Sequence, residues 1–270
     1  MPVLALATEA YVGTLANMSE DVRPERGLTF GRVAEDYDRA RPGYPAELYV
    51  DIVSGGRLRV LEAGAGTGKA TVALAELGAS LVAVEPDSGM AEVVRRRTEN
   101  LDVEVQVSRF EECVVEPRSF DVVVAAQSWH WVNHEQGVAV AARALVPGGA
   151  LRLWWNMPGD LDGPAWDAVR AAYDATEPEA APLLARSLGA QSESSVPRAD
   201  GFGPWSSSTY RWVQRYTADE FCAMAATYSS HLVLDDTRRD EVLNAVHTAI
   251  TEHGHLDYHY VTQMMTAQLQ

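Results

Sequence analysis

Apolar and polar positions change period repeatedly along this chain, and the changes lay out strands and helices in alternation. A short apolar run ending at Val60-Leu61 and the run at residues 120–126 read as buried parallel strands, and residues 81–84 and 150–155 read as further strands. Val103, Val105 and Val107 alternate with polar residues, as do residues 206–216, and both read as strands. Residues 258–267 read as a last strand. Helical spacing fills the gaps. Phe30, Val33, Ala34 and Tyr37 share one face until Pro42 and Pro45 break the pattern. A second helix is expected over 46–53. In 69–77 the stripe is Ala70, Ala73, Leu74 and Leu77, and Gly78 stops it. Further helices are expected over 88–100, 135–145 and 160–176. Asp87 or Ser88 caps the first of these, and Pro147, Gly148 and Gly149 make a tight turn after the second. Thr217 caps a helix running to about residue 228, and Asp235 or Asp236 caps another to about 253. Residues 1–27 form an arm. Residues 177–204, rich in small residues, read as a long loop or lid.

Strand and helix in alternation imply an α/β fold with a largely parallel sheet. The first strand, helix and second strand form one βαβ unit around Gly64, Gly66 and Gly68. Glycine lets the backbone turn sharply and approach a ligand closely. Glu62 lies at the end of the first strand, facing the crevice, and Glu85 closes the second. An acid about twenty residues past such a turn is placed to read a ribose. The spacing is Glu-x-Gly-x-Gly-x-Gly. The nucleotide fingerprint of nicotinamide enzymes requires its last glycine at position 69, where this chain has Lys69.

Composition narrows the function classes. The chain has 270 residues and is 47% hydrophobic, enough for a full core. Acids exceed bases by 38 − 22 = 16, and so negative a surface repels phosphate backbones. Nucleic acid is therefore not the expected partner. Cys113 and Cys222 have no metal-type spacing and suit a reducing cytoplasm. There is no apolar run of membrane-spanning length, and the start lacks a basic leader. His253, His255 and Asp257 alternate, but a polar helix end explains them better than a metal site, and no metal is expected.

At the Glu62 to Gly68 motif the chain resembles the class I S-adenosylmethionine-dependent methyltransferases. It looks most like the small-molecule branch containing the trans-aconitate-methyltransferase-like enzymes. The resemblance covers residues 30–156 with specific motifs. It implies a Rossmann-like, seven-stranded, mostly parallel sheet with helices on both faces. On that basis residues 28–156 form the cofactor-binding core, the N-terminal helices and an insertion at 157–235 form a lid, and the rest of 157–270 supplies the closing strands, one of them antiparallel. The segment Tyr37, Asp38, Arg41, Pro42, Tyr44, Pro45 resembles one that lies over the cofactor in this family. It implies contact of Tyr37 and Arg41 with the methionine end; the alternative is a packing corner. An arginine fork suits a carboxylate. Glu62 is read as holding the ammonium, and Glu85 with Pro86 as holding the ribose hydroxyls. Gly64, Ala65, Gly66, Thr67, Gly68, Met90, Phe110, Glu111, Gln127 and Ser128 complete the implied set around S-adenosylmethionine. Relatives carry an acid near position 109, where this chain has Arg109; Phe110 then packs on adenine or belongs to the core.

The segment Gln127-Ser128-Trp129-His130-Trp131 ends a central strand, where functional groups of open parallel sheets gather. His130 is the candidate base, since imidazole titrates near neutrality; a structural histidine is the alternative. His134 reads as a helix-entry residue. Some of Trp154, Trp155, Trp166, Trp205, Tyr210 and Trp212 are expected in the core and the rest around a small organic acceptor. Methyl transfer to such a metabolite is the expected activity, with S-adenosylhomocysteine as product. A protein that binds the same cofactor without transferring methyl remains the alternative.

Overall fold

The computed structural model describes residues 40–54, 56–176, 198–228, 231 and 234–270. The arm 1–27, the helix expected around Phe30 to Tyr37, Tyr37 itself and most of the 177–204 loop lie outside the described residues. Seven strands form one sheet in the order β3-β2-β1-β4-β5-β7-β6. They are β1 (Arg59–Ala63), β2 (Ser80–Val84), β3 (Val103–Gln106), β4 (Phe120–Ala126), β5 (Leu145–Pro158), β6 (Ser206–Tyr216) and β7 (Leu256–Gln268). The first five pair in parallel. Strand β7 is antiparallel to both β5 and β6, so it alone runs against the rest.

Seven helices accompany them among the described residues: α1 (Ala46–Val53), α2 (Lys69–Glu76), α3 (Ser88–Arg97), α4 (His134–Ala144), α5 (Pro164–Thr176), α6 (Ala218–Ala226) and α7 (Asp236–His253). Successive residues of a strand face opposite sides, and both sides are covered here. Val60, Val122, Val124 and Trp154 meet Leu48 and Ile52 of α1 and Leu74 of α2. Leu61, Val123, Ala125 and Leu153 meet Val138, Ala141 and Ala144 of α4 on the other face. That double coverage is why β1 and β4 read as unbroken apolar runs. A third core joins Trp166, Tyr173, Phe221, Met224, Val242, Val246 and Ile250 of α5, α6 and α7 to Tyr216, Tyr258 and Tyr260 of β6 and β7.

The caps sit where their side chains can serve. Asp87 accepts from the backbone N–H groups of Gly89 and Met90. Thr217 and Glu220 form a reciprocal capping box, and Asp235 accepts from Arg238 N–H. Helix α5 begins at Pro164 instead of 160, because proline is suited to a first helical turn and has no N–H to contribute further in. Helix α3 stops at Arg97, three residues short of the expected end. The Pro147-Gly148-Gly149 turn is not a separate connection. It lies inside β5 as a bulge, since Phe120 pairs with Leu145 while Val122 pairs with Ala150.

Candidate active site

The carboxyl ends of β1, β2, β4 and β5 open onto a cavity of about 220 Å³. Its floor is the turn between β1 and α2. Gly64 has φ 69° and Gly66 φ 59°, the left-handed region. A Cβ on Gly64 would stand 2.6 Å from Ser128 Cβ, so glycine is needed for the β1 and β4 ends to touch. Around Gly66 there is open space instead. Its N–H donates to Glu85 Oε2 at 2.7 Å, which ties the turn to the end of β2. Glu85 Oε1 accepts from Asp87 N–H at 2.9 Å. Each carboxylate oxygen keeps a further lone pair after one bond. Burial pushes the Glu85 carboxyl up, and the bonds from Asp87 and Gly66 pull it back.

Glu62 is fully buried at the other side of the turn. Its Oε2 accepts from Thr71 Oγ at 2.6 Å. Its Oε1 is buried without a hydrogen-bond partner, although Glu62 lines the cavity. Burial pushes this carboxyl up to about 7; the Thr71 bond lowers it and the charge of Glu85 adds to the rise. Two buried carboxyl groups thus flank a turn whose Gly66 leaves open space where a side chain would stand.

The structure brings Arg41, Glu62, Gly64, Ala65, Gly66, Thr67, Glu85, Pro86, Met90, Phe110, Glu111, Gln127 and Ser128 to this one cavity. Gln127 has φ 56°, unusual for a residue with a Cβ, and its N–H donates to Trp154 O at 2.9 Å. Such strain at a strand's carboxyl end belongs to functional positions more often than to structural ones. The Ser128 hydroxyl donates to Ala63 O. Glu111 Oε1 accepts from Asn133 N–H at 2.7 Å and its carboxylate lies 4.0 Å from Arg109 Nε. Phe110 is buried, edge-on to Trp129 at 5.9 Å. Arg41 lies over the Tyr228 ring at 4.4 Å and donates from Nη2 to Thr227 O at 3.1 Å.

Two expected residues among those described do not line the cavity, and a third falls outside them. Tyr37 lies outside the described residues. Gly68 is the N-cap of α2 and packs toward Val94, so it shapes the helix start and does not line the wall. His130 is exposed and does not line the cavity. The short turn Trp129–Trp131 sends Trp129 into the core and Trp131 to the cavity rim, which leaves His130 facing out. Its ring centroid is 4.9 Å from that of Trp131.

None of the six expected aromatic residues lines the cavity. Trp154 and Trp155 are buried on opposite faces of β5. Trp166 is buried and donates to Asp257 O at 3.0 Å. Trp205 packs at the edge of the α4-side core. Tyr210 donates to Asp51 at 2.6 Å and Trp212 stacks on Tyr260 at 4.7 Å. The aromatic wall is made instead by Tyr44, Phe110, Trp131, Tyr228 and Tyr260. Asn156 joins them from the end of β5. A relay fixes its amide: Trp212 Nε1–H donates to Thr262 Oγ at 2.8 Å, Thr262 Oγ–H to Asn156 Oδ1 at 2.6 Å, and Asn156 Nδ2–H to Gly43 O at 2.9 Å. Tyr228 and Tyr260 had no local signal in the sequence; only the strand order brings β7 and the end of α6 to this wall.

Among the described residues no cluster of histidine, cysteine or acids is arranged to hold a metal. No helix among them is long and apolar enough to cross a membrane. Both cysteines are free; Cys113 is buried and Cys222 half-buried.

A family model described as a methyltransferase domain matches residues 61–153. An uncharacterized methyltransferase of Mycobacterium tuberculosis is 36% identical over 166 residues, which is 58% of this chain and 68% of that protein. The solved structure of a candidate type II methyltransferase from Anaeromyxobacter dehalogenans superimposes with a TM-score of 0.64 at 23% identity, over 85% of this chain and 98% of that one. A phosphoethanolamine N-methyltransferase from Haemonchus contortus, solved with S-adenosyl-L-methionine, gives a TM-score of 0.52 at 17% identity, over 93% of this chain and 60% of that one.

Proposed function

The chain belongs to the class I S-adenosylmethionine-dependent methyltransferases, and from that premise we propose that the cavity between Glu62 and Glu85 holds the cofactor beside a small organic acceptor. Two observations support the fit. Glu62 Oε1 is a buried acceptor with no partner, facing the place an ammonium group needs. The space a side chain at Gly66 would fill is open, so a ligand can lie against bare backbone.

S-adenosylmethionine, when bound, supplies a methyl group already activated on a cationic sulfur that departs neutral. Glu62 holds the ammonium and Glu85 the ribose hydroxyls, using lone pairs left after the bonds from Gly66 and Asp87. Met90 and Phe110 flank the base, and Glu111 offers a carboxylate beside it. Tyr44, Trp131, Tyr228 and Tyr260 exclude water and present ring surface near the sulfur, where a cation is favoured. The protein's work is alignment and dehydration. His130 is exposed and does not line the cavity, and it has no part in this proposal. The order of the sheet puts β5 and β7 on the side of β1 away from Glu85, so Asn156 and Tyr260 face the acceptor.

The observation that carries the proposal is the pair of buried carboxyl groups across a turn whose Gly66 leaves open space. The test is incubation of the protein with S-adenosylmethionine and a panel of small organic acids, amines and phenols. Release of S-adenosylhomocysteine that depends on one acceptor class is the expected result. Intact cofactor binding with no acceptor-dependent release across the panel would overturn the small-molecule reading.

A further inference from the structure

The hydrogen-bond relay behind Asn156 has a direction, and that direction is set outside the cavity. Asn156 on β5 and Thr262 on β7 stand opposite each other in the antiparallel ladder. Trp212 on β6 is paired with Tyr260, two residues before Thr262. Side chains opposite each other, or one step along the diagonal, share a face and are within reach. An indole N–H can only donate, so Thr262 Oγ accepts from Trp212 at 2.8 Å. The Thr262 hydroxyl hydrogen then goes to Asn156 Oδ1, 2.6 Å away. The amide oxygen therefore faces Thr262, and the amide nitrogen faces Gly43 O at 2.9 Å. Turned over, the amide would set its oxygen against the Gly43 carbonyl oxygen, so both ends of the relay select one orientation. Thr262 is fully buried and Asn156 nearly so, yet Asn156 lines the cavity. An amide nitrogen carries two donor hydrogens, and the bond to Gly43 takes one. The other is what Asn156 has to offer a ligand, held in a fixed direction.

We propose that Asn156 is the specificity-determining residue for the acceptor. It selects a molecule that bears an oxygen next to the atom that takes the methyl group, and Thr262 and Trp212 are positioning residues that act through it. The inference rests on the methyl-transfer reading given above. Transfer needs a lone pair on the attacking atom, and a donor aimed at that atom would draw the pair away from the methyl group. A donor aimed at the adjacent oxygen orients the acceptor and leaves the attacking pair available. Discrimination follows, because an analogue lacking that oxygen leaves a buried donor unpaired. Carboxylates and catechols share this feature and differ in charge and shape, so acids and phenols are separate arms of the test.

The test measures S-adenosylhomocysteine release by the full chain from matched pairs: catechols against the corresponding phenols, and carboxylates against the corresponding primary alcohols. In one of the two arms the wild type is expected to prefer the member with the second oxygen by at least about tenfold in kcat/KM. Asn156→Ala should reduce that preference about tenfold, slowing the oxygen-bearing member and leaving its partner unchanged. Thr262→Val keeps the shape and removes the hydroxyl, and should reduce the preference by about threefold or more, while Thr262→Ser restores it. Trp212→Phe keeps a ring stacked on Tyr260 and removes the indole N–H, and should act as Thr262→Val does. Affinity for S-adenosylhomocysteine should stay within about twofold in all these variants, since β5 lies on the side of β1 away from Glu85. Variants that slow both members of a pair equally, or that lose S-adenosylhomocysteine affinity in step with turnover, would show a relay that only supports the fold. That result, or wild-type turnover confined to amines, would overturn this inference and leave the methyl-transfer reading in place. A protein that binds S-adenosylhomocysteine and turns over no acid, phenol or amine would overturn both.

Discussion

Replacing Gly64 and Gly66 separately by alanine divides stability from binding, because the two glycines are left-handed for different reasons. At Gly64 the new Cβ would stand 2.6 Å from Ser128 Cβ and 3.1 Å from its hydroxyl. Ser128 cannot yield without losing its buried bond to Ala63 O. A left-handed residue with a Cβ costs about 1–2 kcal/mol, and an orphaned buried polar group costs about 1–3 kcal/mol. Reduced freedom of the unfolded chain returns about 0.4–1 kcal/mol. Gly64→Ala should therefore lose about 2–4 kcal/mol. For a chain of this size that lowers Tm by roughly 5–15 °C. At Gly66 nothing lies within 4 Å of the new Cβ, so only the backbone term applies and the loss is about 1 kcal/mol. The methyl group there occupies the cavity, and affinity for S-adenosylhomocysteine should fall by at least about tenfold, equivalent to about 1.4 kcal/mol. Thermal melting of the ligand-free proteins and titration with S-adenosylhomocysteine read the two effects. A Gly64→Ala protein that melts within about 2 °C of the wild type, or a Gly66→Ala protein that binds normally, would refute the reasoning.

Glu85→Ala removes both the ribose acceptor and the tie to Gly66 N–H, and titration should show cofactor affinity down by about tenfold or more. His130→Ala changes an exposed side chain away from the cavity, and turnover with the acceptor found by the panel should stay within about twofold; a hundredfold loss would return His130 to the chemistry. Stability against pH contains two opposed slopes. Burial holds His231 down to about 4, so the unfolded chain binds its proton first and stability rises with pH from about 4 to the ordinary histidine value. Glu62 is pushed up to about 7, so the folded chain binds its proton first and stability falls as pH rises from the ordinary carboxyl value to about 7. Each slope is worth about 3 kcal/mol. Urea unfolding of Glu62→Gln should show stability rising with pH more steeply than in the wild type between about pH 4.5 and about pH 6.5; parallel profiles would contradict the assignment.

Legibility followed how local each signal was. The β1 turn, α2 and β2 were readable because a strand buried on both faces leaves a continuous apolar run, and the glycine and acid spacing sits within that one unit. Thr217 and Asp235 were readable as caps because their oxygens serve N–H groups three residues away. Trp131 was within the motif, but which of Trp129, His130 and Trp131 faces the cavity depends on the phase of one short turn, which composition does not set. Trp154 and Trp155 belonged to a group of six aromatics that the sequence could not divide between core and pocket. They proved to be core because β5 lies between β4 and β7 with cover on both faces. Tyr228 and Tyr260 were out of reach for a different reason. They join the wall only through the insertion of antiparallel β7 between β5 and β6, a long-range pairing with no mark in neighbouring residues. The bulge in β5 was hidden likewise, since Pro147 and two glycines spell a turn whether or not the ladder resumes beyond them.

The central claim concerns where an adenosyl amino acid sits, and a crystal structure of the full chain with S-adenosylhomocysteine tests it most directly. The account predicts the ammonium against Glu62 Oε1, the ribose hydroxyls against Glu85, and the thioether sulfur toward the Trp131 and Tyr260 side of the cavity. Ligand density elsewhere on the molecule, or in this cavity with neither carboxylate in contact, would contradict it.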